Sequence, residues 1–385
     1  MTTSSRRSFL KKASIGAAGL TLTTLCRADK VEEKEERHLS DRPVTGKVID
    51  AHCHADPESI ERSIKIMDDN YVRYGVNIGV TGDGDFYKFM TAVKPHKNRM
   101  GVMYSFDWSL IKRDPDFFSK APDMLTRAVE AGAIGLKSFK DLGLMVRDRN
   151  DALIRVDDPR LFPIWQRAGE LKIIVAFHTT DPKAFFEPWN PKNERWKELK
   201  LHPDWSFADR RKYPPRNVLL QQRNNVIRKF PQIKFQCCHV ANNSEDIKTV
   251  SKWLDEMPNL YVDLAARLGE LGRHPVKDGR EFFARHQDRI MFGTDRMFYT
   301  EGDVQGAGPR KRFTKEEDRW FYQVHWRYLQ TNDKQFDHPT PIQGDWKIDA
   351  VGLDKTILEK VYWQNAYQLF RLDRFGVGER ITGNT

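Results

Sequence analysis

The chain has 385 residues, a mass of 45.0 kDa and a formal charge of +10, with 39% hydrophobic and 11% aromatic residues. This composition supplies a large buried core and excludes a disordered or fibrous chain, and no apolar run of about 20 residues follows the N-terminus, so no membrane span is expected in the mature chain. Arg6, Arg7, Lys11, Lys12 and Arg27 stand in the first 28 residues without an acid, leaving +5 for the rest, and with no basic block interleaved with aromatics a nucleic-acid partner is not expected.

In chain order, the opening SSRRSFLKKASIGAAGLTLTTLCRADK pairs two arginines with Phe9 and Leu10 before a mild Gly/Ala-rich stretch. It resembles a twin-arginine export signal over residues 1–28, which implies cleavage after Ala28 and a periplasmic or otherwise exported protein. Residues 29–46 read as a charged linker, 47–375 as the folded domain and 376–385 as a tail. Loss of Cys26 leaves Cys53, Cys237 and Cys238, an odd set with two neighbours adjacent, which is no disulfide framework.

From residue 47 short β-rich runs alternate with amphipathic stretches, the pattern of βαβ units around a parallel sheet. Eight strands are expected at KVIDAHCH, GVNIGVTG, MGVMYSFD, AIGLKSF, KIIVAFHTT, IKFQCCHVAN, LYVDLAAR and IMFGTDRM. Helices are expected at PESIERSIKIMDDNYVRYG, APDMLTRAVEAG, PRLFPIWQRAGELK, VLLQQRNNVIRKFP, SEDIKTVSKWLDEMP and REFFARHQ. Eight strands with crossover helices give an α/β fold, a (β/α)8 TIM barrel. Residues 181–216 after strand 5 and 298–345 after strand 8 are long and rich in aromatics. In a barrel both lie over the C-terminal face and read as lids, with surface decoration or contact between copies in a homo-oligomer as the alternative.

Side chains alternate faces along a strand. In the first strand Asp50, His52 and His54 share one face, and Ile49, Ala51 and Cys53 the other, suited to the helix layer. The same parity turns Lys137, His178, His239, Arg267 and Asp295 inward at the C-terminal ends of strands 4 to 8. Burying such groups unpartnered costs a few kcal/mol each. Imidazoles and a carboxylate escape that cost by holding a cation, and the two-residue spacing lets one strand supply His52 and His54 to one ion.

HCH after the first strand, His178, His239 and GTD with Asp295 after the eighth resemble the metal signature of the amidohydrolase superfamily. The late helix LEKVYWQNAYQLFRL, with Asn365 and Ala366, is similar to the closing helix of its amidohydrolase-related branch, family 2. The resemblance implies a metal-dependent TIM-barrel enzyme with one or two divalent ions, zinc being the expected metal. It implies that His52, His54 and Asp295 hold the first ion and that Asp295 accepts a proton from water. His178 completes a mononuclear set with His239 as catalytic base or acid, or His178 and His239 hold a second ion bridged by a carboxylated Lys137. An ion pair between Lys137 and Asp263 is the plainer alternative. Arg267, Arg296 and Lys140 suit a small anionic substrate, although either arginine can equally form a structural pair with Glu270 or Asp263. The reaction expected is hydrolysis of an ester, lactone or amide bond. The alternative is a lyase, a nonoxidative decarboxylase or hydratase of a carboxylic acid; a noncatalytic exported binder is the rival from another class.

Overall fold

The computed structural model describes residues 40–378, so the export signal, most of the charged linker and residues 379–385 lie outside the described residues. One sheet is built from β1 (Val48–Ala55), β2 (Val72–Thr81), β3 (Met100–Ser105), β4 (Gly135–Ser138), β5 (Ile174–Phe177), β6 (Phe235–Cys237), β7 (Leu260–Asp263), β8 (Ile290–Met291) and β9 (Arg296–Phe298). Its order is β8, β7, β6, β5, β4, β3, β2, β1, β9, with every pair parallel. Parallel neighbours need crossovers, and these carry the helices Ile60–Asp69, Asp83–Val93, Phe117–Glu130, Phe162–Glu170, Arg216–Lys229, Ile247–Glu256 and Val276–Arg285.

β8 and β9 act as two parts of one strand position. β8 pairs with β7, Ala51 N donates to Phe292 O at 3.0 Å, Asp295 N donates to His52 O at 2.8 Å, and β9 pairs with the end of β1. The sheet thus curls back on its first strand, a TIM-barrel-like arrangement. Val175, Phe177, Ile290 and Phe292 pack outward with the helices. Ile49, Met103, Ile174, Ala176 and Met291 meet inside, where Leu369, Phe370 and Leu372 from the closing segment join them. Each such buried side chain contributes about 1.5–3 kcal/mol.

Two expectations are corrected here. β1 does not keep strict alternation: its register shifts between Asp50 and Cys53. Ile49 and Ala51 therefore pack in the inner cluster while Cys53 packs with the helix layer. Asp50 leaves the face of His52 and His54; its carboxylate takes the Thr294 hydroxyl at 2.5 Å and the backbone N–H groups of Thr294 and His52. Burial pushes Asp50 up to about 7. The stretch 298–345 is also not a single lid, because Lys315–Gln330 forms a helix with a Thr314/Glu317 capping box and a buried face against the barrel. Neither this helix nor Asp83–Val93 was among the helices expected.

His325, on that helix, lies in the core beside Phe292 and Phe321 with Nδ1 at 2.8 Å from Phe321 O. Burial holds it down at about 4. A histidine depressed in the folded state binds its proton more readily when unfolded, so stability is complete above about 6.5 and falls toward pH 4, by about 3 kcal/mol for this group. Urea unfolding at pH 7 and pH 4.5 is expected to show a smaller acid loss in His325→Gln than in the parent chain; equal losses would rule out this assignment.

Candidate metal centre

Positive backbone torsions gather where the strands end. Asp295 has φ 60°, Ala266 53°, and His239, Val240, Ala241 and Asn242 form a left-handed turn with φ from 58° to 51°. Non-glycine residues in this region cost about 1–3 kcal/mol each and persist where the surroundings hold them. Their effect is to break β8 from β9 and to turn Asp295 and His239 back over the barrel mouth; for His239 this corrects the expected alternation, which would put it on the outward face of Cys237. Gly293 makes room for this: a Cβ there would stand 3.1 Å from His52 Cβ.

Three donors converge. His52 Nε2 lies 3.3 Å and His54 Nε2 3.2 Å from Asp295 Oδ1, within a set whose ligand atoms are all less than 4.8 Å apart. Asp263 stands behind His52: its Oδ2 meets His52 Nδ1 at 3.1 Å and accepts from Gln236 Nε2 at 2.7 Å, while Oδ1 accepts from His239 N at 2.8 Å. A carboxylate on Nδ1 leaves the other ring nitrogen to the metal. Burial opposes charge on His52, yet Asp263, with Cys238 and Asp295, raises it well above the usual imidazole range. Burial likewise opposes ionisation of Asp295, but His52 and His54 hold it well below the usual carboxylate range. The spot therefore calls for positive charge, and a divalent cation in place of the proton satisfies the same carboxylates. The donors fit a metal ion.

His178 and His239 stand beside this set, His239 with its ring 4.8 Å from that of His52 and 4.6 Å from that of His178. His239 Nδ1 meets Ala265 O at 2.8 Å, and Nε2 has no hydrogen-bond partner among the described residues. Burial, then His178 and Arg267, hold His239 well below its ordinary value, hence neutral. His178 is held down to about 4 by burial despite Asp181 Oδ1 at 3.4 Å. Its ligand atoms do not join the close set of His52, His54 and Asp295. Lys137 departs from the expected ion pair with Asp263. It is fully buried, and Nζ donates to Cys238 Sγ at 3.0 Å rather than meeting Asp263, whose oxygens are already taken by His52, Gln236 and the His239 backbone.

A cavity of about 390 Å³ opens above these groups. Arg267 lines it, and its guanidinium donates to Ala266 O at 2.7 Å with no carboxylate in ion-pair distance among the described residues. Lys140 also lines it, paired with Asp181 at 2.5 Å and lying 4.9 Å from the Trp205 ring. Arg296 does not reach the cavity. The turn at Asp295 sends it behind the sheet, where it pairs with Asp318 at 2.5 Å and lies 4.4 Å from the Phe313 ring, so its expected place at the substrate is corrected. Arg195 in the segment after β5 ties the cavity wall down: buried, it pairs with Glu198 at 2.8 Å and with Glu270.

Sequence reasoning left out Asp263 as a support of His52, together with Cys238 and Asp181. Asp263 had a legible signal, since alternation along β7 puts it on the face of Arg267. Asp181 had none beyond lying three residues after His178.

The family model described as Amidohydrolase matches residues 49–372. The chain belongs to the amidohydrolase family. It is thus a metal-dependent enzyme, and a small-molecule substrate follows from the same membership. Among solved structures, a TIM-barrel protein from Bordetella bronchiseptica is 14% identical with TM-score 0.51, covering 85% of this chain and 99% of that one. A 5-carboxyvanillate decarboxylase from Novosphingobium aromaticivorans with bound manganese is 12% identical with TM-score 0.48, covering 84% and 97%. An amidohydrolase 2 from Bifidobacterium longum subsp. infantis is 12% identical with TM-score 0.43, covering 84% and 98%. No curated protein matches the chain. Among the described residues no helix of this enzyme is long and apolar enough to cross a membrane.

Proposed function

We propose that the enzyme hydrolyses an ester, lactone or amide bond in a small anionic substrate at a single divalent ion, zinc, held by His52, His54 and Asp295. The observation that carries this reading is the convergence of those three donors under a cavity that also holds an unpaired arginine. When bound, the metal lowers the pKa of water toward neutrality and polarises the substrate carbonyl. The chain supplies the rest. Asp295 accepts the proton of the attacking water on its carboxylate and passes it to the leaving group, and neutral His239 assists this transfer as base or acid through its free Nε2. Arg267 orients a substrate carboxylate by a charge-assisted pair.

A second reading keeps these residues and makes the enzyme a lyase. The one-ion set of His52, His54 and Asp295 supports it equally, because neither reaction needs a second ion there. The test joins elemental analysis with product analysis. About one ion per chain is expected, with turnover of lactones or esters; release of carbon dioxide from aromatic carboxylates, or hydrated product from enoic acids, would replace hydrolysis by the lyase. About two ions, falling to one in Lys137→Ala, would overturn the single-ion site. For Arg267→Ala, KM is expected to rise about 10- to 100-fold, as a lost charged hydrogen bond of about 1.5–3 kcal/mol requires, with kcat little changed. Steady-state kinetics check this, and an unchanged KM would remove Arg267 from the substrate site.

We also propose export through the twin-arginine pathway, on the strength of SSRRSFLKK. Residues 1–28 fused to a reporter are expected to export it, and Arg6→Lys with Arg7→Lys to retain it in the cytoplasm.

A further inference from the structure

The enzyme's described cysteines differ in what their sulfurs meet. Cys53 Sγ donates to Val76 O at 3.3 Å. Cys237 and Cys238 are adjacent, so they face opposite ways: Cys237 packs with the helix layer and Cys238 with the inner cluster. Cys238 alone has an amine against it, Lys137 Nζ at 3.0 Å. Both residues are fully buried, and among the described residues Lys137 has no other hydrogen-bond partner and no carboxylate within ion-pair distance.

The pair joins the end of β4 to the end of β6, with β5 between them. It lies one layer beneath the cavity. The sulfur forms a set with donor atoms of His52 and Asp263 within 4.8 Å, and His52 lines the cavity. Gly79 lines it as well, and a Cβ at Gly79 would stand 3.0 Å from Lys137 Cγ. A solute the size of water that enters the cavity is therefore one residue away from the pair. Neither partner has a part in the hydrolysis proposed above.

We propose that Lys137 and Cys238 form a reversible covalent bridge when the enzyme meets hydrogen peroxide. In the first step the Cys238 sulfur attacks one peroxide oxygen and the O–O bond breaks; the sulfur is oxidised to a sulfenic acid, the peroxide is reduced, and water leaves. In the second step Lys137 Nζ attacks the sulfenic sulfur. The N–S bond forms, the S–O bond breaks, and the departing oxygen takes a proton from the amine and leaves as water. The product is a sulfenamide, poorer by two hydrogen atoms than the starting pair. A thiol reverses it by attacking the sulfur, returning the amine and giving a mixed disulfide that a second thiol resolves. Because Cys238 immediately precedes His239 and its left-handed turn, drawing the two atoms from 3.0 Å to bonding distance shifts that turn.

The test is peptide mass mapping of the full-length enzyme after peroxide treatment, with oxidation of Met145, 45% exposed, as the internal control. Expected is a linked pair of peptides carrying Lys137 and Cys238, lighter by two hydrogens than their sum, uncleaved by trypsin after Lys137 and separated by dithiothreitol. Lys137→Arg and Cys238→Ala each abolish it; if either fails to fold, the map of the parent chain decides alone. Cys238 found as sulfinic or sulfonic acid with Lys137 free would overturn the proposal, and so would an intact Cys238 in protein whose Met145 is oxidised. The readout is a mass, so failure here leaves the hydrolase reading untouched, and failure of that reading leaves the bridge standing.

Discussion

Asp295→Asn is expected to lower kcat by about 10³-fold while the fold survives, the range that loss of a positioned proton acceptor produces. The substitution is chosen for its backbone. Asp295 sits at φ 60°, a region that asparagine tolerates better than other residues, so the turn that separates β8 from β9 is kept. What changes is charge. Oδ1 now meets both His52 and His54, and an amide in its place supplies one neutral oxygen as a metal donor and no site for a water proton. Metal content falls with turnover. Steady-state kinetics, elemental analysis and a thermal melt on the same preparation check all three, and turnover near that of the parent chain would remove Asp295 from the chemistry.

Asp263→Asn is expected to weaken metal binding by about 10- to 100-fold, the usual consequence of losing the partner that orients a histidine ligand. Asp263 Oδ2 faces two donors, His52 Nδ1 and Gln236 Nε2, and Oδ1 faces two more, the backbone N–H groups of His239 and Ala265. An asparagine NH2 group in either place sets a donor against donors, in a position with no exposure to water. One mismatch of this kind costs about 1–3 kcal/mol, so a lower melting temperature accompanies the loss of affinity. Titration with zinc against a competing chelator, followed by activity at saturating zinc, separates the effects. If saturating metal restores most of kcat, Asp263 acts through His52; if affinity is unchanged, it does not orient that ligand.

Period-two patterning in short strands, with turn residues between them, carried the barrel, and parity along β4, β5, β7 and β8 aimed Lys137, His178, Arg267 and Asp295 inward. Those conclusions need only local information, because which face a strand residue takes is set by its neighbours in sequence. The HCH spacing on β1 likewise pointed to a shared ion without any knowledge of the other strands.

Other features depended on contacts between distant segments. The register shift in β1 arises where that strand meets both β2 and β9, so Asp50 turned to Thr294 although strict alternation put it beside His52. Arg296 follows Asp295 directly, yet a single left-handed residue between strand segments sent it to Asp318. Lys137 met a thiol because β6 happens to place Cys238 across β5 from it, and Asp263 reached His52 across 211 residues of chain. The sequence alone determined the barrel class, the inward residues other than His239 and the His52/His54 pair. The tertiary structure alone decided which inward groups share a partner, because a hydrogen bond or ion pair is settled by a few ångströms between side chains that the chain brings together only when the barrel closes.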